Sequence, residues 1–201
     1  MHTEIAEMFD LSGQVSLVVG GARHLGRDAA CALAAAGSAV VITSRNQSRA
    51  RETAAAIHQQ YGVETLALAL DHVHPESVAQ ALAAAAAWQG RLDIAINNAG
   101  GIAGAGSRDL LHRDAADIAA LIELNLTGVV YCCQEEARHM LPNKRGVIVN
   151  IASIAGLVGR DRGGARRVAS PRSRSITPPL KPVSSALPAT LPPRLPPMAS
   201  A

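Results

Sequence analysis

Short apolar runs and longer Ala-rich stretches alternate through the first three quarters of the chain. Val15–Gly20 reads VSLVVG, a continuous apolar run of strand length. Gly26–Ala36 is Ala-rich and stops before Gly37, a residue suited to the left-handed position past a helix end. Val40–Thr43 reads as a second strand and Ser48–Tyr61, stopping at Gly62, as a second helix. Glu64–Leu70 reads as a third strand. Pro75–Gln89 starts with proline in a first-turn position and runs through Ala83–Ala87, so it reads as helix. Leu92–Asn97 and Val147–Ile151 read as further strands, separated by a helical stretch, Asp114–Leu141, that Pro142 is expected to end. A strand–helix–strand pattern repeated in this way predicts an α/β protein whose parallel strands are joined by right-handed crossovers. Strands covered by helices on both faces are apolar without alternation, as these are.

Charge divides the chain in two. The whole sequence carries +3, with a pI near 9.1. Residues 1–161 hold 12 basic and 16 acidic side chains, a net of −4, whereas residues 162–201 hold seven basic and no acidic ones. Nine of the 11 prolines lie between Pro171 and Pro197, and no aromatic residue follows Tyr131. Residues 9–161 are therefore expected to form one domain, and 162–201 a disordered, basic, proline-rich tail that cannot bury a core. The high pI belongs to the tail and gives no reason to expect a specific nucleic-acid partner. Pro179-Leu180-Lys181-Pro182 and Pro193-Arg194-Leu195-Pro196 offer PxxP segments of the kind that aromatic grooves bind.

Three cysteines make no disulfide framework. No uninterrupted apolar run reaches the ~18 residues of a membrane span, and Glu4 and Glu7 do not fit a leader segment. The expectation is a cytoplasmic protein without a membrane partner. His72 and His74 could face one way on an extended segment, but two histidines without a third ligand make a poor metal site; they read as a surface loop, and no metal is expected. Trp88, Tyr61, Tyr131 and the thiols of Cys31, Cys132 and Cys133 read as packing residues.

The first strand runs directly into Gly20-Gly21-Ala22-Arg23-His24-Leu25-Gly26 and then a helix. A glycine-rich turn in this context lets a pyrophosphate approach the backbone N–H groups of the helix N-terminus. With this turn, Phe9-Asp10-Leu11-Ser12-Gly13-Gln14-Val15, Asn97-Asn98-Ala99-Gly100, Asn125-Leu126-Thr127-Gly128 and Asn150-Ile151-Ala152-Ser153 occur in an order that resembles the short-chain dehydrogenase/reductase family. The resemblance covers about residues 9–160. It implies a Rossmann-like doubly wound parallel sheet and an NAD(P)-dependent oxidoreductase acting on a small alcohol/carbonyl pair. The turn departs from the family's TGxxxGxG in two places. Val19 stands where Thr is usual and His24 where the middle Gly is usual.

The resemblance places Gly20, Arg23, His24, Leu25 and Gly26, then Ser44 and Arg45, then Asp71 and His72, and finally Asn98, Ala99 and Gly100 around the cofactor. The segment after the second strand reads Thr43-Ser44-Arg45, with no acid to hold a ribose 2′-hydroxyl. Arg23 and Arg45 suit a 2′-phosphate instead, so NADP is expected over NAD.

Of the family's catalytic set, Ser153 and Asn125 match the Ser and Asn positions. The Tyr-x-x-x-Lys pair has no counterpart. About a dozen residues beyond Ser153 the chain reads Gly163-Gly164-Ala165-Arg166-Arg167-Val168, and the only tyrosines, Tyr61 and Tyr131, are followed four residues later by Thr65 and Glu135. No strand-like run remains after residue 162, so the sheet is expected to be incomplete on its C-terminal side and the family's oligomer interface with it. The break in the pattern is expected to reflect a frameshift or altered splice near residues 160–168, and turnover is expected to be impaired. A non-catalytic dinucleotide-binding protein, or an interaction protein acting through its PxxP tail, is the alternative.

Overall fold

The computed structural model describes residues 7–102 and 113–153. The expected tail, 162–201, and the last residues of the expected domain lie outside them. Five strands alternate with helices: β1 Val15–Val19, α1 His24–Ala35, β2 Ala39–Ser44, α2 Gln47–Tyr61, β3 Thr65–Ala69, α3 Pro75–Gln89, β4 Ile94–Asn97, α4 Ala115–Ile122, α5 Gly128–Met140 and β5 Val147–Asn150. All pairings are parallel, in the order β3-β2-β1-β4-β5. This is the parallel α/β sheet expected from the alternation, in the Rossmann-like arrangement that the resemblance implied. The chain crosses from one half of the sheet to the other between β1 and β4, and ligands bind at such a switch point beyond the strand C-termini.

β1 supplies both cores. Val15, Leu17 and Val19 pack with Val78, Leu82 and Ala85 of α3 and Cys132 and Met140 of α5. Val18 points to the opposite face, with Val40 and Ile42 of β2, Ala30 and Ala34 of α1, and Ala50, Ala54 and Ile57 of α2. The alanines let the helices approach the sheet closely. Each fully buried Leu or Ile, such as Leu17, Ile42 or Leu82, contributes about 1.5–3 kcal/mol through loss of hydrated apolar surface. Trp88 and Tyr131 pack against the first core and Tyr61 and Cys31 against the second, as the sequence predicts.

The register aligns the C-terminal ends of the inner strands: Val19 pairs with Asn97, and Asn97 with Asn150. That row forms the C-terminal edge of the inner strands, from which the loops after β1, β4 and β5 emerge. At the other end Asp93 closes the sheet. Its carboxylate accepts from Val15 N at 2.9 Å and from both Arg91 nitrogens at 2.7 Å. Burial pushes the Asp93 carboxyl up, but the Arg91 and Val15 hydrogen bonds, with the charges of Arg91 and Arg145, outweigh it and hold the group below its ordinary value. Asp93 occupies the start of the expected fourth strand, which begins only at Ile94.

The stretch read as one helix, Asp114–Leu141, is broken. Asp114 caps it by accepting from Asp117 N at 2.7 Å. α4 then gives way to a π turn over Glu123–Thr127, and α5 follows. Pro142 does not stop the chain's turning. It sits in a 3₁₀ turn, Leu141–Asn143, at a first-turn position where its missing N–H costs nothing. The whole run Ala115–Asn143 is 29 residues, long and apolar enough to cross a membrane, although Asp117, Glu123, Glu135, Glu136 and Arg138 lie within it. Its second half is instead a core helix of the sheet, through Cys132 and Met140.

Candidate dinucleotide and active site

β1 ends at Val19, which is buried and carries no hydroxyl; the hydroxyl at this turn comes from the next strand. Thr43 Oγ1 donates to Val18 O at 3.3 Å and accepts from Gly20 N at 3.4 Å, and Gly21 N donates to Thr43 O at 3.0 Å. Gly20 takes φ +78°. Gly26 is fixed by space: a Cβ there would lie 2.3 Å from Gly20 O and 2.6 Å from Asn98 Nδ2. Asn98 Nδ2 in turn donates to Gly20 O at 3.3 Å. The turn after β1 and the loop after β4 are thereby locked together, which brings Gly20, Gly26, Asn98 and Ala99 into one group.

His24 departs from the usual glycine in a way the structure explains. It sits at φ +49°, in the left-handed region, and is exposed. Histidine tolerates that region better than most residues, at a cost that glycine would not bear. Leu25 is exposed as well. The N-terminus of α1 has neither a side-chain cap nor an acid in its first turn. α2 and α4, by contrast, are capped by Asn46 and Asp114. The first N–H groups of α1 are left for an external acceptor.

Beyond β2, Ser44 Oγ accepts from Asn46 N at 3.1 Å and Arg45 is exposed. Arg23, Arg27 and Arg49 line a cleft of about 340 Å³ with Ala22, Glu52, Thr53 and Ala56. Arg45 is not part of that lining. Arg27 and Arg49 were not singled out from sequence; their only signal was a spacing of four residues from Arg23 and from Arg45. Beyond β3, Asp71 N donates to Ser77 Oγ at 3.0 Å, whereas Asp71 Oδ1 is buried without a partner among the described residues. His72 is not on a surface loop. It is 4% exposed, and its Nε2 donates to Leu124 O at 2.8 Å. His74 is exposed, so the two histidines do not share a face. Burial of His72 follows from Gly128, which leaves room for the ring.

On the other side of the switch point, Asn125 lies on the π turn. Its Oδ1 accepts from Gly101 N at 2.8 Å, and its Nδ2 donates to Gly101 O at 2.9 Å and Leu121 O at 3.0 Å. A Cβ on Gly100 would meet Asn125 Oδ1 at 2.9 Å. Asn125 is thus clamped to the loop after β4. Ser153 is exposed, three residues past the end of β5.

A polar cluster the sequence did not reveal lies under β4 and β5. Asn97 Nδ2 is 3.0 Å from Glu136 Oε2, 2.9 Å from Asn150 Oδ1 and 3.6 Å from Cys133 Sγ. Asn97 therefore ties β4 to β5. Glu136 is fully buried, and burial pushes its carboxyl up to about 7 against the opposing bond from Asn97. Burial and the Glu136 charge push the Cys133 thiol up to about 11 and the Cys132 thiol higher still. Both thiols are therefore protonated packing groups near neutral pH.

The family model for short chain dehydrogenases matches residues 14–165. The chain belongs to that family. It is 36% identical over 154 residues to a 3-oxoacyl-[acyl-carrier-protein] reductase of Synechocystis sp., covering 76% of this chain and 60% of that protein. It spans only about three fifths of that relative's length. A putative short-chain alcohol dehydrogenase from Sinorhizobium meliloti 1021 superposes with a TM-score of 0.70 at 38% identity, over 76% of this chain and 59% of that one. An NADPH-dependent 3-quinuclidinone reductase from Rhodotorula rubra superposes with a TM-score of 0.71 at 28% identity, over 79% and 59%.

Proposed function

We infer that the chain is a dinucleotide-binding member of its family, related to reductases and dehydrogenases of small alcohol/carbonyl pairs, and that its own turnover is impaired. One observation carries the binding half. The uncapped N-terminus of α1 stands behind a turn with no room for a side chain at Gly26, while Asp71 Oδ1 waits buried and unpartnered at the neighbouring strand end. A nicotinamide dinucleotide fits these groups. Its pyrophosphate would lie at the N-terminus of α1 along Gly20, His24, Leu25 and Gly26. The adenine end would reach Ser44, Asp71 and His72, and the nicotinamide end Asn98, Ala99 and Gly100. Arg23 and Arg45, with Arg27 and Arg49 beside them, favour the 2′-phosphate of NADP over the hydroxyl of NAD.

A nicotinamide dinucleotide, when bound, would give or take the hydride. Ser153 would hold the substrate oxygen, and Asn125 would keep the loop after β4 in place. No tyrosine or lysine stands in the family spacing to move the proton, because Gly163–Val168 occupy that stretch. A tyrosine with an ordinary pKa near ~10 needs such a lysine to act near neutral pH, and arginine cannot substitute because it does not release its proton. Calorimetric titration of the purified full chain with NADPH and NADH, alongside a hydride-transfer assay, tests both halves. The expected result is NADPH binding tighter than NADH with negligible turnover. Appreciable turnover would overturn the impairment, and equal affinities the cofactor preference.

A further inference from the structure

We propose that His72 is a positioning residue that couples the adenine end of the cleft to Asn125. Two independent contacts seat it there. Its Nε2 donates to Leu124 O at 2.8 Å, the carbonyl immediately before Asn125 in the π turn. A Cβ on Gly128, just past that turn, would lie 2.5 Å from His72 Cδ2 and 2.8 Å from His72 O. The helix thus lacks a side chain where the histidine enters.

The chemistry fixes the direction of the bond. A carbonyl oxygen can only accept, so the ring carries its proton on Nε2. A π turn breaks the regular hydrogen-bond ladder of a helix. Here the carbonyl at that break receives a donor from a different element, the segment after β3. The next side chain, Asn125, grips both N–H and C=O of Gly101. A continuous set of contacts therefore runs from Asp71, through His72 and the π turn, to the loop that follows Asn97-Asn98-Ala99-Gly100. Ordering of Asp71 by a ligand would be felt at Gly101 through this histidine.

The test is amide hydrogen exchange on the full chain, with and without NADPH, for the unmodified protein, His72→Leu and His72→Gln. Glutamine keeps an N–H at similar reach; leucine fills the space without a donor. His72→Leu should speed exchange at Glu123–Thr127 and Gly101 about tenfold, because a partly buried carbonyl loses its donor, while Leu17 and Val41 stay unchanged. His72→Gln should return the rates to within about threefold. NADPH should slow exchange at Asn125 and Gly101 in the unmodified and Gln proteins and not in the Leu protein. Uniform acceleration, no local change, or a Gln variant that behaves like Leu would overturn the proposal. Should His72→Leu fail to fold, nitrogen NMR of the unmodified chain still decides. An Nε2–H tautomer is expected, and an Nδ1–H tautomer would overturn it. The NADPH arm rests on the dinucleotide reading; the exchange rates without ligand do not, so the two failures are distinguishable.

Discussion

The two halves of the sheet are built to different standards of closure. On the β1–β2–β3 side, Val40, Val41 and Ile42 are fully buried between helices, and every residue of β1 is buried. On the β4–β5 side, β5 has β4 as its only strand neighbour among the described residues, and Val147 and Val149 are 47% and 41% exposed. α4 buries none of its residues, and Ile118 and Ile122 are exposed. The first half carries the glycine turn and the strand ends that would take the pyrophosphate and adenine ends of a dinucleotide, and Gly26 and Asn98 lock that turn to the loop after β4. The second half holds Asn125 and Ser153, and beyond it the sequence leaves the family pattern. The difference sets what the proposed dinucleotide binding would rest on apart from what turnover would require. The first would rest on residues that the fold places, the second on a Tyr-x-x-x-Lys spacing that the sequence does not contain.

The largest test of this contrast is Gly26→Ala. The added methyl would lie 2.3 Å from Gly20 O, which is backbone and cannot swing aside. We expect loss of NADPH binding in calorimetry and destabilisation of about 3 kcal/mol in chemical denaturation. Retained binding would break the claim that this turn is the rigid half of the site.

Glu136→Gln probes the other half with an effect that depends on pH. The Glu136 carboxyl is raised from 4.5 to about 7 in the folded protein. The folded state therefore holds that proton more tightly than the unfolded state, and stability is lost as pH rises from 4.5 to about 7. Glutamine mimics the protonated acid at every pH. The variant should match the unmodified protein near pH 4 and exceed it by about 3 kcal/mol near pH 8. Denaturation curves at the two pH values check this, and a constant difference would contradict it.

Smaller effects concern cofactor choice and the turn itself. Replacing Arg23 and Arg45 by alanine should reduce the ratio of NADPH to NADH affinity by about tenfold, the scale of one charge-assisted hydrogen bond. His24→Gly should stabilise the fold by less than about 1 kcal/mol. It relieves the positive φ of 49° but returns freedom to the unfolded chain. A loss of stability would show that the imidazole makes a compensating contact.

Much of the fold could be read from residue order. α3 has the expected bounds, Pro75 and Gln89, because proline at its start and glycine after its end are local signals. The π turn was not legible. Its Leu124 carbonyl is bonded by His72, 52 residues earlier, and no local pattern carries that distance. Glu136 was missed for a related reason. A glutamate beside Glu135 in a helix reads as a solvated face, and only the tertiary structure turns it under Asn97. The motif glycines foretold close approaches, but not that Gly128 makes room for a histidine. Asp71 was legible as a strand-end acid, while its unpartnered oxygen required coordinates.

Titration of the full chain with NADPH by calorimetry tests the central claim most directly. Saturable binding of one NADPH per chain, tighter than NADH and abolished by Gly26→Ala, is the predicted result. Absence of saturable binding by a folded chain would contradict the account.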